Sequence, residues 1–334
     1  MKKGLGGSRA VVLLGVGLAL LAAIGSLGAV VRLAQPDSVG VVSGAYFNPL
    51  QVALLHWYAA NRITRLPVGG GPQCLAFDGD NIWVANSGSG SVTKLQASTG
   101  RVLGSFVVGS APYGVAFDGA KVWVSNVFSN DVTALSAASG AVFGTFTVGR
   151  SPTGMAFDGT NIWVANQGDN TVSKLRADTG KVLGVFPVGA SPVAVASDGR
   201  NIWAANLGDN TVTKLDSSGG LLGTFNVGPG PGALAFDGSS MWVADLNSNT
   251  VTKLDAGSGT LLGTFTVGNN PPGLAFDGAH IWVANAGSNS VTELDPSNGR
   301  VLATFSESGS PNFVAFDGAH IWVTNFVGNS VSKL

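Results

Sequence analysis

The hydrophobic positions of this chain recur with a period of about 40 residues over most of its length. Each period contains short apolar runs, which in the second repeat are Gly114–Phe117, Lys121–Asn126, Asp131–Leu135 and Val142–Val148. These runs are rich in Val, Ile, Phe, Thr and Trp, are too short for helices and show no 3.6-residue periodicity. Turn residues separate them, so each period predicts a four-stranded antiparallel meander.

An Asp-Gly pair, followed by a Trp five residues after the Asp, marks the repeat seven times. The pairs begin at Asp78, Asp118, Asp158, Asp198, Asp237, Asp277 and Asp317, and the tryptophans are Trp83, Trp123, Trp163, Trp203, Trp242, Trp282 and Trp322. Asp-Gly is a strong signal for a tight turn between strands, because Gly adopts positive φ without steric penalty. The pairs therefore separate the first and second strands of each repeat.

The second strand of each repeat is apolar on both sides. In Ile162–Asn166, the side chains of Ile162 and Val164 point one way, whereas those of Trp163 and Ala165 point the other way. Stacking such sheets around an axis buries both faces of every sheet. We therefore expect an all-β fold, a seven-bladed β-propeller of four-stranded blades that spans residues 63–334.

The two ends of the repeat region complement each other. The last repeat stops after its third strand, Ser330–Leu334, whereas Ile63–Val68 precedes the first repeat and matches fourth strands such as Val185–Gly189. We expect Ile63–Val68 to complete the seventh blade beside Ser330–Leu334. This pairing would close the ring and remove the open sheet edges that promote aggregation.

The segment IWVAN, followed by Asn, Gly and Ser and then by VTKLD and VLGTF, resembles the YVTN and NHL-like repeats of seven-bladed propellers. Over about Ile63–Leu334 the chain is also similar to the streptogramin (virginiamycin B) lyases. That resemblance implies catalytic histidines directly after the Pro of the last two repeats, with nearby acids and a magnesium ion. Here those positions hold Pro272 and Asn312, and Asn325 replaces the expected acid, so we expect no lyase site there, no metal and no cofactor.

Residues 1–32 resemble a membrane anchor or a signal peptide. Ala10–Val31 is uncharged, mostly apolar and preceded by basic residues. As a helix it would extend about 33 Å, enough to cross a bilayer. This length favours an uncleaved anchor that contacts the membrane through residues 10–31, with cleavage as the alternative. Residues 33–62 predict a linker and a short amphipathic helix, Asn48–Arg62, capped by Asn48 with Pro49 at its first position.

The net charge of the chain after residue 32 argues against a nucleic-acid partner. Residues 1–32 hold four of the 18 basic residues and no acid, so the remainder has a formal net charge of −5. Binding of nucleic acid requires a basic surface, so we expect no nucleic-acid partner. The single cysteine, Cys74, is interpreted as a small residue against the channel wall, with a reactive thiol as the alternative. His280 and His320 follow Asp-Gly turns and are interpreted as solvated turn residues, with a paired metal site as the alternative.

Functional residues are expected where the repeats differ. The positions that follow each Pro, at the start of the innermost strand, hold Gln73, Tyr113, Thr153, Val193, Gly232, Pro272 and Asn312. The residues that depart from the repeat and are our candidates for binding a ligand or partner are Tyr113, Phe128, Arg150, Glu307, Asn312, Phe313 and Phe326. Their aromatic character suits a protein or peptide partner on one propeller face. Ordinary sequence drift on a tolerant scaffold is the alternative.

These observations predict an exported, membrane-tethered propeller in the cell envelope, outside the cytoplasm, that acts as a non-catalytic binding or interaction scaffold. A secreted form after signal cleavage is the alternative location. The alternative function is a lyase-like or hydrolase-like enzyme with a relocated site on the loop face of the central channel. A purely structural envelope protein is a third possibility.

Overall fold

The computed structural model describes residues 64–334. The predicted N-terminal segments, 1–32 and 33–62, and the first residue of the predicted closing strand, Ile63, lie outside this range. Within residues 64–334, no helix is long and apolar enough to cross a membrane.

Residues 64–334 form seven separate antiparallel sheets of four strands each, which confirms the predicted seven-bladed β-propeller. The first strand is β1 (Thr64–Pro67). Blade 1 contains β2 (Pro72–Phe77), β3 (Asn81–Asn86), β4 (Ser91–Gln96) and β5 (Val102–Val107). Blade 2 contains β6 (Pro112–Phe117), β7 (Lys121–Asn126), β8 (Asp131–Ser136) and β9 (Val142–Thr147). Blade 3 contains β10 (Pro152–Phe157), β11 (Asn161–Asn166), β12 (Thr171–Arg176) and β13 (Val182–Pro187).

The second half of the ring repeats this arrangement. Blade 4 contains β14 (Pro192–Ser197), β15 (Asn201–Asn206), β16 (Thr211–Asp216) and β17 (Leu221–Asn226). Blade 5 contains β18 (Pro231–Phe236), β19 (Ser240–Asp245), β20 (Thr250–Asp255) and β21 (Leu261–Thr266). Blade 6 contains β22 (Gly273–Phe276), β23 (Ile281–Asn285), β24 (Ser290–Leu294) and β25 (Val301–Ser306). Blade 7 contains β26 (Pro311–Phe316), β27 (Ile321–Asn325) and β28 (Ser330–Lys333).

The hydrophobic core lies between the blades, because each sheet packs on both of its faces. Trp163 and Ala165 of β11 pack against Ile202 of the next blade. Ile162, on the opposite face of the same strand, packs against Trp123 of the preceding blade. Burying a tryptophan in this way stabilises the fold by roughly 2–3 kcal/mol from apolar area alone.

The Asp-Gly turns provide the hydrogen-bond partner that each buried indole needs. In blade 1 the Trp83 Nε1–H donates to Asp78 Oδ2 at 2.7 Å, and Asp78 Oδ1 accepts the backbone N–H groups of Asp80 and Asn81. The same indole bond, of 2.7 to 2.8 Å, recurs in all seven blades. Burial alone would raise the pKa of these carboxyls, but the hydrogen bonds outweigh it and lower the pKa. These hydrogen bonds fix the Asp-Gly turn against the buried tryptophan.

Lysines cross-link neighbouring blades, a feature that the repeat pattern alone did not predict. The Lys94 ammonium lies 5.0 Å from the centre of the Trp83 ring and donates to the carbonyl of Ala137 in blade 2 at 2.6 Å. The equivalent bonds join Lys174 to Ser217, Lys214 to Ala256, Lys253 to Pro296 and Lys333 to Ala97. Each such lysine therefore covers its own tryptophan and holds the next blade.

The fourth strand of blade 7 is β1, from the start of the described chain. It pairs antiparallel with β28, in a register that runs from Thr64 opposite Lys333 to Pro67 opposite Ser330. Leu66 of β1 occupies the position at which other blades place a phenylalanine, such as Phe106, against the tryptophan. Blade 7 thus consists of strands from the two ends of the propeller region.

We expect deletion of residues 61–68 to expose the edge of β28 and to remove the only sequence-distant strand pairing of blade 7. The variant should oligomerise or lose its single cooperative thermal transition, because an unpaired strand edge is a template for pairing with another chain. Light scattering coupled to size-exclusion chromatography, together with calorimetry, checks this. A monomer that melts like the parent protein would contradict the role that we assign to β1.

Candidate functional site

The two ends of the propeller carry different loops. The loop that leads into the first strand lies beside the turn between the second and third strands. In blade 2, for example, the Phe128 N–H donates to the Ser110 carbonyl at 3.2 Å. We call this end the upper face. The Asp-Gly turns and the turns between third and fourth strands form the opposite end, which we call the lower face.

Two predicted residues from different blades meet at the mouth of the channel on the upper face. The rings of Tyr113 in blade 2 and Phe313 in blade 7 pack edge to face, with centres 6.0 Å apart and planes at 87°. Both pack against the same core cluster as Cys74 of blade 1. Burial raises the pKa of the Tyr113 hydroxyl. This side of the mouth is therefore aromatic and uncharged.

An amide pair continues the mouth across blades 7 and 1. Asn312 Nδ2–H donates to Gln73 Oε1 at 2.7 Å, and Gln73 Nε2–H in turn contacts Ser87 Oγ at 3.3 Å. Asn312 was a predicted site residue, whereas Gln73 was noted only for its position in the repeat. Since these polar groups satisfy one another, the pair forms a fixed edge of the mouth.

Exposed aromatic residues stand on the rim of the same sector. The Phe128 residue of blade 2 is 76% exposed and the Phe326 residue of blade 7 is 40% exposed, with Val327 beside it. In residues 64–334, all other exposed large hydrophobic side chains lie on fourth strands, along the outer wall. Among the described residues, only the turns of blades 7 and 2 therefore carry exposed large hydrophobic side chains.

Blade 1, between these two rims, carries very small residues. A Cβ atom at Gly71 would lie 2.9 Å from Ser87 Oγ and 3.3 Å from Phe326 Cε2, and one at Gly88 would lie 3.1 Å from the Gly70 carbonyl oxygen. Gly71 also has a positive φ of 61°. We call Tyr113, Phe128, Phe313 and Phe326, together with this low glycine-rich floor of blade 1, the aromatic arc.

Arg150 lies on the upper face, in the loop that leads into blade 3, and its side chain is engaged within that blade. The Arg150 guanidinium donates from Nε to Asp169 Oδ1 at 2.6 Å and from Nη2 to the Gly168 carbonyl at 3.1 Å. It therefore closes an exposed loop of blade 3 on itself. Its side chain remains solvent-accessible, but it is already paired with a carboxylate.

Glu307 lies in the seam between blades 6 and 7 and not on an accessible surface. Its carboxylate is buried, accepts a hydrogen bond from Ser332 Oγ at 3.0 Å and lies 3.3 Å from the Arg65 guanidinium of β1. The equivalent residue in other repeats is a valine that packs between blades, such as Val148. Glu307, which was a candidate because it departs from the repeat, thus contributes to the contact between blade 6 and β1.

The histidines lie on the lower face. His280 Nδ1 is 3.2 Å from Glu293 Oε1, and His320 Nδ1 is 3.5 Å from Asp317 Oδ2. Throughout the part of the chain that the structure describes, no three His, Cys, Asp or Glu side chains are placed to hold a metal ion. The geometry gives each histidine a neighbouring carboxylate of its own blade.

A buried polar side chain ends the second strand of every blade. In blade 4 the Asn206 Nδ2 donates to the hydroxyls of Thr211 and Thr213 at 3.0 and 2.8 Å. Blade 5 has Asp245 instead, which accepts from the hydroxyls of Thr250 and Thr252. Burial raises the pKa of Asp245 to about 6, although these hydrogen bonds act in the opposite direction. These residues form structural bonds within single blades.

Comparisons with known proteins agree with this architecture. No family model and no curated protein matches the chain. Among solved structures, virginiamycin B lyase from Staphylococcus aureus matches with a TM-score of 0.71 and 17% identity, over 81% of this chain and 98% of that one. A streptogramin B lyase matches with a TM-score of 0.69 and 16% identity, over 81% and 96%. Kuenenia stuttgartiensis hydrazine synthase matches with a TM-score of 0.70 and 21% identity, over 82% and 97%.

These identities show a shared fold. The similarity to the streptogramin lyases that the repeats indicated is therefore confirmed at the level of the seven-bladed propeller. The shared fold does not determine the chemistry at the mouth of the channel, which depends on the side chains that line the mouth in each protein.

We expect Asp245→Asn to stabilise the protein at neutral and alkaline pH. The raised pKa means that the protonated form of Asp245 stabilises the fold below about pH 4, and that this contribution is lost as pH rises through about 6. An asparagine can donate to Thr250 and Thr252 at every pH. The gain should approach about 3 kcal/mol at pH 8 and vanish near pH 4, as measured by denaturant unfolding.

The matched control is Asn206→Asp, which should introduce the same pH-dependent loss into blade 4. Equal stability of the Asp245→Asn variant and its parent at pH 8 would show that Asp245 ionises in the fold without penalty.

Proposed function

We propose that this chain is an exported binding module, tethered to the membrane through residues 10–31, whose aromatic arc binds a protein or peptide partner. The observation that carries the proposal is the confinement of exposed aromatic turn residues to Phe128 and Phe326, on either side of the low floor of blade 1. A repeated scaffold has no structural need for this asymmetry, since the other blades fold without it.

The arc has the composition of a protein-binding surface. Binding energy at such surfaces concentrates in a few aromatic anchors that become fully desolvated, whereas a polar rim contributes less. Phe128 and Phe326 would be the anchors, and the Gln73–Asn312 amide pair would form part of the rim. Because glycines form the floor, the backbone of an extended peptide can approach blade 1 closely.

Strand β1 runs from the lower face to the upper face, because Thr64 pairs with Lys333 and Pro67 pairs with Ser330. Thr64 therefore lies at the lower face, at the opposite end of the propeller from the aromatic arc.

A lyase-like or hydrolase-like enzyme is the second candidate, because the streptogramin lyases share the fold. The positions that the resemblance assigns to catalysis hold Pro272, Asn312 and Asn325, which supply no general acid or base at neutral pH. Glu307, the acid considered for a relocated site, is occupied by Arg65 and Ser332. These features favour binding over catalysis. Turnover of cyclic depsipeptides or lactones by the purified protein would support the enzyme instead.

We expect the double variant Phe128→Ser and Phe326→Ser to lose its partners. Recovery of partners by the full-length protein from envelope extract should fall at least about tenfold. Two aromatic anchors that become buried in the complex contribute several kcal/mol to binding. Quantitative mass spectrometry of the captured proteins measures this. Thermal melting should change little, because Phe128 is 76% exposed and Phe326 lies at the surface with 40% of its area exposed.

The matched control is Leu207→Ser, at the turn of blade 4 that corresponds to Phe326. It should recover the same partners as the parent protein. If the double variant also recovers all of them in parental amounts, the arc is not the binding surface.

A further inference from the structure

Blade 6 differs from most other blades at the position opposite its tryptophan. In five blades the residue directly opposite the tryptophan, on the third strand, is a lysine. The ammonium group of each of these lysines lies 4.9 to 5.4 Å from the centre of the tryptophan ring. The same register in blade 6 pairs Trp282 with Glu293. A carboxylate therefore occupies the place from which the other blades supply a cation.

Trp282 is also the most accessible of the seven repeat tryptophans. It is 9% exposed, whereas the other six are completely buried. Blade 2 likewise has no lysine at this position, because Ala134 lies opposite Trp123, yet Trp123 is completely buried. Among the seven blades, only blade 6 therefore combines an accessible tryptophan with a carboxylate directly opposite.

The surroundings of Trp282 attract a positive charge. Glu293 and Asp277 lie on either side of His280, whose Nδ1 is 3.2 Å from Glu293 Oε1 and 3.7 Å from Asp277 Oδ2. Asp277 Oδ2 also accepts the indole N–H of Trp282 at 2.7 Å. The side chains of both acids are partly accessible, at 17% for Glu293 and 14% for Asp277. The negative face of an indole ring and two carboxylates thus lie together on the lower face.

We propose that Trp282, Glu293 and Asp277 form a binding site for a small organic molecule that carries a primary ammonium group. The repeat itself provides the template for this site. In five blades the lysine ammonium lies over the tryptophan and donates at 2.6 to 2.7 Å to a carbonyl of the next blade. In blade 6 an external ammonium takes the place of the lysine, and the carboxylate of Glu293 takes the place of the carbonyl acceptor. A hydrogen bond from an ammonium to a carboxylate is short and strong.

n-Butylammonium is the probe for the test, since it has the four-carbon chain and the ammonium group of a lysine side chain. We expect it to shift the Trp282 indole N–H signal saturably in ¹⁵N nuclear magnetic resonance spectra of the full-length protein. n-Butanol, which lacks the charge, and butyrate, which has the opposite charge, should leave this signal in place. The indole signals of the six buried repeat tryptophans should not respond to any of the three compounds.

Two variants of Glu293 test the role of its carboxylate. Glu293→Gln keeps the size of the side chain and removes its charge, so it should weaken n-butylammonium binding at least about tenfold. Glu293→Lys gives blade 6 the residue of the other five blades and should abolish binding, because the ring is then covered by an ammonium of the protein itself. The matched control is Asp80→Asn, which removes an exposed carboxylate from another turn of the lower face and should bind like the parent protein.

The melting temperature of each variant shows whether it is folded. The inference is overturned if n-butylammonium leaves the Trp282 signal unshifted, or if n-butanol shifts it equally. It is also overturned if the folded Glu293→Gln variant binds n-butylammonium as tightly as the parent protein does.

Discussion

A tryptophan that is packed between two blades can be buried only if its indole N–H finds a partner, and the Asp-Gly turn of the same hairpin provides one. The carboxylate binds the indole through one oxygen and the turn backbone through the other, as Asp78 does with Trp83 and Asn81. The bond fixes the hairpin, orients the ring and leaves both faces of the sheet apolar. Because every blade then needs a neighbour on each side, the closed ring follows from this interaction.

Further contacts act on the joints between blades. Lysines such as Lys94 cover a tryptophan and hold the next blade. Blade 6 has Glu293 at this position, beside His280, and its joint with blade 7 contains the contacts of the buried Glu307 with Arg65 and Ser332. The seam at which the two ends of the propeller region meet is therefore built from different side chains. The aromatic residues of the arc also depart from the repeat.

The repeat pattern was sufficient to predict the fold. The role of a single residue, however, depends on which residues of other blades it contacts in the folded ring. The predicted strand Lys121–Asn126 has the bounds of β7, since alternating apolar residues and the Asp-Gly turn delimit it. Tyr113 and Phe313 were both candidates, but only the ring brings residues from blades 2 and 7 into contact. Glu307 was equally conspicuous, yet a position between blades makes it a seam residue. The lysine contacts were missed because each acceptor carbonyl lies in the next blade, 42 or 43 residues away in sequence for four of the lysines and 236 residues away for Lys333.

The propeller is a ring without free ends, and native-state hydrogen exchange is the most direct test of this closure. An open stack of repeats loses structure first at its terminal units, whereas a closed ring has no terminal unit. We predict that the amides of β3 and β27, which flank the joint of blades 7 and 1, exchange with the same free energy as those of β15 on the opposite side. Faster exchange in β3 and β27, at a lower free energy than in β15, would contradict it.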